Sequence, residues 1–382
     1  MKLVCCSFEK MKDDICRTGS RIVMFGAGVI GQVTAPEILK DYGLLENVDC
    51  YIDNNIGLQG TTINILGREY EIRSLDYLKE CLEGTVVILN ISRYADVYEQ
   101  LSGMESTREM KCYIMPMMLI HNFCSSASEG EAIKAAEPLI PKKLHYMWLG
   151  RKSIPDKLKR CVESWRRFCP NYQIVEWNED NYDIEKHPYM KQAYEVGAYG
   201  FVPDYARLDI LYNEGGIYLD LDVEIKRSLD ALLYQDAFCG VEKWQVINFG
   251  GLSGAIPGHP MVKKFLDARK NVEFFEKDGT QNRRTCGFYD TRVALGAGYR
   301  MDGKVQSIGG MTIYPYDYFH PYDYMSGIVN KTDNTYSVHW FNGGWLNDEM
   351  KRINEESRMN YVKLYNEALM ENKNTPASRG SI

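Results

Sequence analysis

Residues Phe201–Ile225 read FVPDYARLDILYNEGGIYLDLDVEI. From Gly215 the stretch alternates like a strand. Ile217, Leu219, Leu221, Val223 and Ile225 share one face, while Tyr218, Asp220, Asp222 and Glu224 share the other. A wet edge strand would alternate in the same way, so the residues upstream have to decide what the acidic face is for. There Pro203 suits a first helical position, Asp204 suits the positive end of the helix dipole, and Gly215 ends the helix. Asp204, Arg207, Leu208 and Leu211 are spaced i, i+3, i+4 and i+7, which places the charged pair on the face of the core leucines. A plain intrahelical ion pair fits that spacing too and would be worth little. The functional reading is that the helix turns an acid and a guanidinium into a cleft, and that the glycine pair returns the chain straight to Asp220 and Asp222. Two carboxylates one alternation apart repel in a partly buried site unless a cation compensates them. Mg²⁺ and Mn²⁺ take oxygen ligands and bridge to phosphates.

The order WLG at 148–150, then DYARLDILYNEGGIYLDLDV at 204–223, then HWFNGGW at 339–345 resembles the DXD-containing sugar-nucleotide glycosyltransferases of family 32. It is also similar to the related glucosylating toxin domains. The resemblance covers roughly residues 139 to 347, and its central helix-to-DXD motif is far more specific than a lone DXD. It implies an α/β fold with a GT-A type nucleotide-sugar transferase domain. It also implies a nucleoside diphosphate sugar donor with UDP-sugar favoured, a Mn²⁺ or Mg²⁺ ion, a glycan or glycolipid acceptor, and retention at the anomeric carbon. Carried over by position, Trp148 stacks on the base, and Asp204 and Arg207 hold sugar hydroxyls. Asp220 lies toward the ribose and metal, Asp222 is the principal metal ligand, and His339 completes the metal site or contacts the diphosphate. Trp345 closes over the donor. Asn248, in VINFGGLSG, sits near the donor sugar and acceptor. The chain departs from the family at Gly344, where a serine is usual.

The chain ahead of this region reads as a smaller domain. Arg21–Phe25 looks like a buried strand entering Gly26, Gly28 and Gly31, then a helix, then a strand ending at Asp53, which is the order of a Rossmann-like half. Thr85–Ile91 is a continuous apolar run of parallel-strand type. GAGVIG with Asp53 would suit a dinucleotide, but Pro36 falls inside the expected helix and counts against NAD. A structural role, or another ligand, is the plainer reading. YIDNN and a later QG are similar to N-terminal domains of bacterial sugar-modifying enzymes. The expected division is a Rossmann-like domain at 1–123, a linker at 124–138, the transferase domain at 139–347, and a C-terminal helical, solvent-facing extension at 348–382.

A chain of 382 residues with 45% hydrophobic and 25% charged residues has the composition of a globular protein of two domains. Its net charge of -7 argues against nucleic acid as a partner. Eleven cysteines without a CxxC indicate neither a disulfide framework nor a zinc site, which fits a reducing cytoplasm. The N-terminus turns charged before an apolar core develops, and no apolar run approaches roughly 18 residues, so no signal peptide or membrane span is expected. A cytoplasmic enzyme of capsular or surface polysaccharide synthesis would work peripherally at the inner membrane, although no basic amphipathic anchor is evident. The rivals are a haloacid-dehalogenase-type phosphohydrolase, an oxidoreductase resting on GAGVIG alone, and a non-catalytic nucleotide-sugar binding protein. Glu224 stands where the first rival's turn should begin, no hydride-transfer constellation supports the second, and the intact Asp204, Arg207, Asp220 and Asp222 speak against the third.

Overall fold

The computed structural model describes residues 1–81, 83–123 and 135–342, together with scattered positions between 352 and 367. It divides into two compact units, one of residues 1–127 with 352–382 and one of 128–351. Most of the expected linker, and Gly344 and Trp345, lie outside the described residues.

The first unit is α/β. Its seven strands run in the order Lys2–Val4, Lys111–Ile114, Thr85–Leu89, Arg21–Phe25, Val48–Ile52, Arg68–Arg73, Thr62–Ile65. Every neighbouring pair is parallel except the last. The run read as a buried strand is central, and Thr85–Leu89 is buried throughout. This is the Rossmann-like sheet the sequence led us to expect. Pro36 does not displace the helix but stands inside it, after an irregular opening. Five residues of π-helix, Ile30–Thr34, precede the α-helix Ala35–Asp41, in whose first turn the proline stands. Asp53 is turned inward, where its carboxylate accepts from the backbone N–H of Ala27 at 2.9 Å and of Asn55 at 2.8 Å. Gly31 is needed for packing, since a Cβ there would stand 2.0 Å from the Gly26 carbonyl oxygen. The C-terminal extension is helical at its described positions but is not simply solvent-facing. Tyr361 is fully buried and meets Tyr94 edge-on at 5.1 Å.

The second unit is also α/β, built on an eight-stranded mixed sheet. Lys143–Met147 pairs in parallel with Gln173–Trp177 and with Gly216–Tyr218, and Gly216–Tyr218 pairs antiparallel with Ser253–Ala255. The helix Pro203–Glu214 begins on its proline and stops at Gly215, as expected. Gly215 (φ 63°) and Gly216 (φ 88°) both need glycine. Added Cβ atoms would come within 2.6 Å of Pro257 and 2.9 Å of His145.

One expectation fails here. Gly215–Ile225 is not a single strand. Pairing ends at Tyr218, the chain turns through Leu219–Asp222, and a new strand, Val223–Ile225, joins a separate two-stranded sheet with Ser337–His339. The turn closes by the Val223 N–H donating to the Asp220 carbonyl at 3.0 Å. The leucines drive it, because Leu219 and Leu221 are both buried in the core that contains Trp165 and Phe238. Burying both in a turn leaves the intervening carboxylates at the rim. The short second strand is pinned by the helix Asp156–Phe168. The Trp165 indole donates to the Val223 carbonyl at 2.7 Å, and the Ile225 N–H donates to the Ser164 hydroxyl at 2.9 Å.

Candidate active site

The site is assembled from the N-terminus of helix Pro203–Glu214, the turn after Tyr218, the loop at Gly250 and the strand Ser337–His339. Asp204 and Arg207 are buried, at 6% and 4% exposure. Arg207 Nη2 lies 3.2 Å from Asp204 Oδ1 and 3.5 Å from Asp220 Oδ1, so one guanidinium ties the helix to the DXD turn. Its Nε donates to the Pro203 carbonyl at 2.9 Å, fixing its orientation. Gly250 makes room for this, since a Cβ there would fall 2.1 Å from Asp220 Oδ2 and 2.7 Å from Arg207 Nη1. The same glycine's carbonyl accepts from the Asp220 N–H at 2.7 Å. Burial pushes the Asp204 carboxyl up to about 6 despite the opposing pull of Arg207 and Arg269. Arg207, flanked by Asp220 and Asp204, stays firmly charged despite its burial.

Across the turn, His339 Nε2 lies 3.2 Å from Asp222 Oδ1. The antiparallel register Val223↔His339 makes this contact possible. Phe341 then takes a left-handed φ of 45°, and the next residue's N–H, that of Asn342, comes back to donate to Asp222 Oδ2 at 2.7 Å. Burial alone would raise the Asp222 carboxyl, but the His339 charge and the Asn342 N–H outweigh it, so the group sits below the usual carboxylate range. Burial alone would lower His339, and Asp222 reverses that, so its imidazole is raised. Asp220, Asp222 and His339 can each offer one ligand atom, all within 4.8 Å of one another. Two oxygens and one imidazole nitrogen suit Mn²⁺ better than Mg²⁺, which prefers an all-oxygen shell.

The sequence-derived set is thus largely gathered in one place: Asp204, Arg207, Asp220, Asp222 and His339. Asn248 stands beside it, but its polar atoms are engaged. Its Oδ1 accepts from the N–H groups of Gly250 and Gly251 at 2.7 and 3.0 Å, and its Nδ2 donates to Glu242 at 2.7 Å. It shapes the loop that accommodates Asp220. Trp148 is half-buried just past the strand Lys143–Met147, its indole donating to the Lys152 carbonyl at 2.6 Å. Trp345 lies outside the described residues. Sequence reading missed the buried pair behind Asp204, in which Arg269 Nη2 stands 2.9 Å from Asp290 Oδ1 with both side chains almost fully enclosed. It also missed Glu242, while His320 falls in the run YPYDYFHPYDY at 314–324, which reads as an acceptor-binding aromatic surface or, more plainly, as a proline-fixed packed loop. None of these stands in a spaced motif. For Arg269 the available signal was its helical spacing, i+3, i+4 and i+7 from the buried Leu266, Phe265 and Val262 of the helix Pro260–Arg269.

Residues 155–239 match the family described as glycosyltransferase sugar-binding region containing DXD motif. Among curated relatives, inositol phosphoceramide mannosyltransferase 2 of Schizosaccharomyces pombe is 29% identical over 147 residues, 37% of this chain and 42% of the relative. Inositol phosphoceramide mannosyltransferase 3 of the same yeast is 32% identical over 127 residues, 32% of this chain and 35% of the relative. The chain therefore spans less than half the length of either. Among solved structures, the PaToxG glycosyltransferase shares 19% identity over 42% of this chain and 70% of its own, with a TM-score of 0.33. Galactosyltransferase LgtC in complex with donor and acceptor sugar analogs shares 13% over 58% of this chain and 95% of its own, with a TM-score of 0.30.

Proposed function

Because residues 155–239 match the DXD-containing glycosyltransferase region, we propose that this protein is a metal-dependent, retaining glycosyltransferase. It moves a sugar from a nucleoside diphosphate sugar to a hydroxyl of a glycan or glycolipid. One observation carries the proposal: Asp220, Asp222 and His339 converge within 4.8 Å directly beside the buried Asp204–Arg207 pair. Such a cluster suits a cation on one side and a sugar on the other.

Asp222, Asp220 and His339 would hold a Mn²⁺ or Mg²⁺ ion, which when bound neutralises the negative charge that grows on a departing diphosphate. Asn342 donates to Asp222 and keeps that carboxylate ionised and aimed. Arg207 keeps Asp220 in register with the helix, and Asp204 with Arg207 holds the hydroxyls of the donor sugar. Trp148 offers a face for the base. Charge stabilisation and positioning, rather than a protein nucleophile, carry the reaction. The acceptor hydroxyl attacks from the side the diphosphate leaves, which gives retention.

The toxin-domain resemblance favours a UDP-sugar, and the relatives named as mannosyltransferases add mannose to the sugars worth testing. Those relatives' names also put an inositol-bearing lipid beside capsular or surface glycans as the acceptor class. A cytoplasmic site of action at the inner face of the membrane belongs to the same proposal. No helix among the described residues is long and apolar enough to cross a membrane. The test is a panel of UDP- and GDP-sugars with Mn²⁺. At least one donor is slowly hydrolysed, and Asp222→Ala abolishes this while the fold persists. If every donor is inert and Mn²⁺ does not bind, the reading fails. The anomeric configuration of the product, followed by NMR, decides retention.

A further inference from the structure

We propose that the outer face of the helix Asp156–Phe168 docks this protein electrostatically on a bilayer of anionic phospholipid. The inference deepens the membrane-face part of the reading above and rests on it.

Charge is the first reason. Residues 151–167 carry seven basic and two acidic side chains, a net +5 (7 − 2), in a chain whose net charge is -7. Two of the cations are answered nearby, Arg151 by Asp180 at 2.8 Å and Lys159 by Asp156 at 2.7 Å. Lys152, Lys157, Arg160, Arg166 and Arg167 are exposed and close no ion pair with the described residues. Cations crowded on one face of an otherwise acidic chain repel one another and attract a polyanionic surface.

Helical period is the second. Lys157, Arg160 and Arg167 are spaced i, i+3 and i+10, which sets them in one row ~15 Å long. Leu158, Cys161, Val162 and Trp165 face the other way and are buried. The apolar face is thus taken up by the protein's own core, where the Trp165 indole donates to the Val223 carbonyl at 2.7 Å. This explains why no inserting anchor is evident in the sequence. The helix can lie on lipid phosphates but has no apolar face left to bury among acyl chains, so its binding is electrostatic.

Position is the third. The strand Lys143–Met147 leads through Trp148 and Lys152 into this helix, and the Trp148 indole donates to the Lys152 carbonyl at 2.6 Å. That strand runs parallel to Gly216–Tyr218, which leads into the turn of Asp220 and Asp222. Lys152 and Lys157 therefore lie at the end of the sheet where the candidate active site is built. Further along, the helix packs on Val223–Ile225, the strand directly after Asp222, with the Ile225 N–H donating to Ser164 at 2.9 Å. A bilayer on this face brings lipid headgroups alongside the element that carries the DXD turn.

The test is co-sedimentation of the full chain with vesicles of phosphatidylcholine, with and without one-third phosphatidylglycerol. The anionic vesicles bind and the neutral ones do not. Raising salt from about 0.1 M to 1 M, which cuts the Debye length from about 10 to 3 Å, releases the protein. Each cation at an anionic surface strengthens binding about fivefold. The triple variant Lys157→Gln, Arg160→Gln, Arg167→Gln therefore binds about 100-fold more weakly, while circular dichroism and donor hydrolysis in solution stay as in wild type. No binding to anionic vesicles, equal binding to neutral ones, binding that survives 1 M salt, or an undiminished affinity in the folded variant overturns the proposal. So does tighter binding of a duplex RNA than of the vesicles, which would assign the face to nucleic acid. The transferase reading fails separately, by a wild type inert to every donor in the panel, because vesicle binding needs no donor.

Discussion

His339 Nε2 sits 3.2 Å from Asp222 Oδ1 although the residues are 117 positions apart (339 − 222), because the strand carrying one pairs antiparallel with the strand that follows the other. In this state the imidazole favours the carboxylate's charged form and the carboxylate favours the imidazole's. A bound cation would take over that role and leave the imidazole neutral, as a ligand must be. Replacing Asp222 by Asn keeps the Asn342 contact and removes the charge. Donor hydrolysis should fall by at least ~100-fold, the order lost when one transition-state electrostatic contact is removed. Mn²⁺ affinity, read by calorimetry, should fall with it. Unchanged Mn²⁺ binding in Asp222→Asn would remove this carboxylate from the metal site.

Gly250→Ala tests the approach of the DXD turn to the helix. The new Cβ would stand 2.1 Å from Asp220 Oδ2 and 2.7 Å from Arg207 Nη1, so both groups must move, and they move at the ends of their side chains. Activity should drop at least ~100-fold, as expected for a displacement on the scale of 1 Å in a positioned site. The melting temperature should fall by only a few degrees, and equal activity would show that the contact does not matter.

Asp204 holds its position at a cost in stability. Its folded carboxyl is raised to about 6 from an ordinary 3.8 by burial. Above pH 6 the folded protein carries a desolvated charge that the unfolded chain does not feel, and as pH falls from 6 toward 3.8 the folded form takes up the proton and the cost disappears. The shift corresponds to about 3 kcal/mol. Asp204→Asn should therefore lose donor turnover yet melt no lower than wild type at pH 7.5, with any gain vanishing near pH 4. A large loss of stability at pH 7.5 would show that the ion pair with Arg207 outweighs desolvation.

His145 gives the opposite pH dependence. Its Nδ1 accepts from the Trp177 indole at 3.1 Å, and its Nε2 faces the Gly215 carbonyl at 3.0 Å. Burial lowers its pKa from 6.5 to about 4, with Lys143 adding to the shift. The group is neutral when folded, so its contribution is complete above pH 6.5 and is lost as pH falls through 4, by about 3 kcal/mol. Denaturant titrations should show wild type losing this much between pH 6.5 and 4, and His145→Gln losing less. Parallel curves would assign the acid sensitivity elsewhere.

Arg269 and Asp290 form an almost fully enclosed pair behind Asp204. Removing one partner leaves the other charge buried, and Arg269→Met should cost about 3–5 kcal/mol in chemical denaturation. Arg269→Met with Asp290→Leu should recover part of that. A double variant no more stable than the single would argue that packing, not charge, dominates there.

The sequence by itself determined the local grammar. Pro203 opens the helix, Gly215 and Gly216 stop it, and i, i+3 spacing puts Arg207 over Asp204, because capping, φ restrictions and helical period act within a few residues. The parallel-strand run at Thr85–Leu89 was legible for the same reason. Alternation misread the path of Gly215–Ile225. Asp220 and Asp222 share a side because the chain turns there, not because a strand is pleated, and only the burial of Leu219 and Leu221 in a common core makes the turn favourable.

What the tertiary structure decided is which distant groups complete the site. Gly250 yields space to Asp220, the Asn342 N–H returns to Asp222 through the left-handed Phe341, and Arg269 and Asp290 back Asp204. None of these depends on spacing in the chain. Each depends on strand register, or on a void left by a missing Cβ, and such relations exist only after long loops have closed and the core has packed.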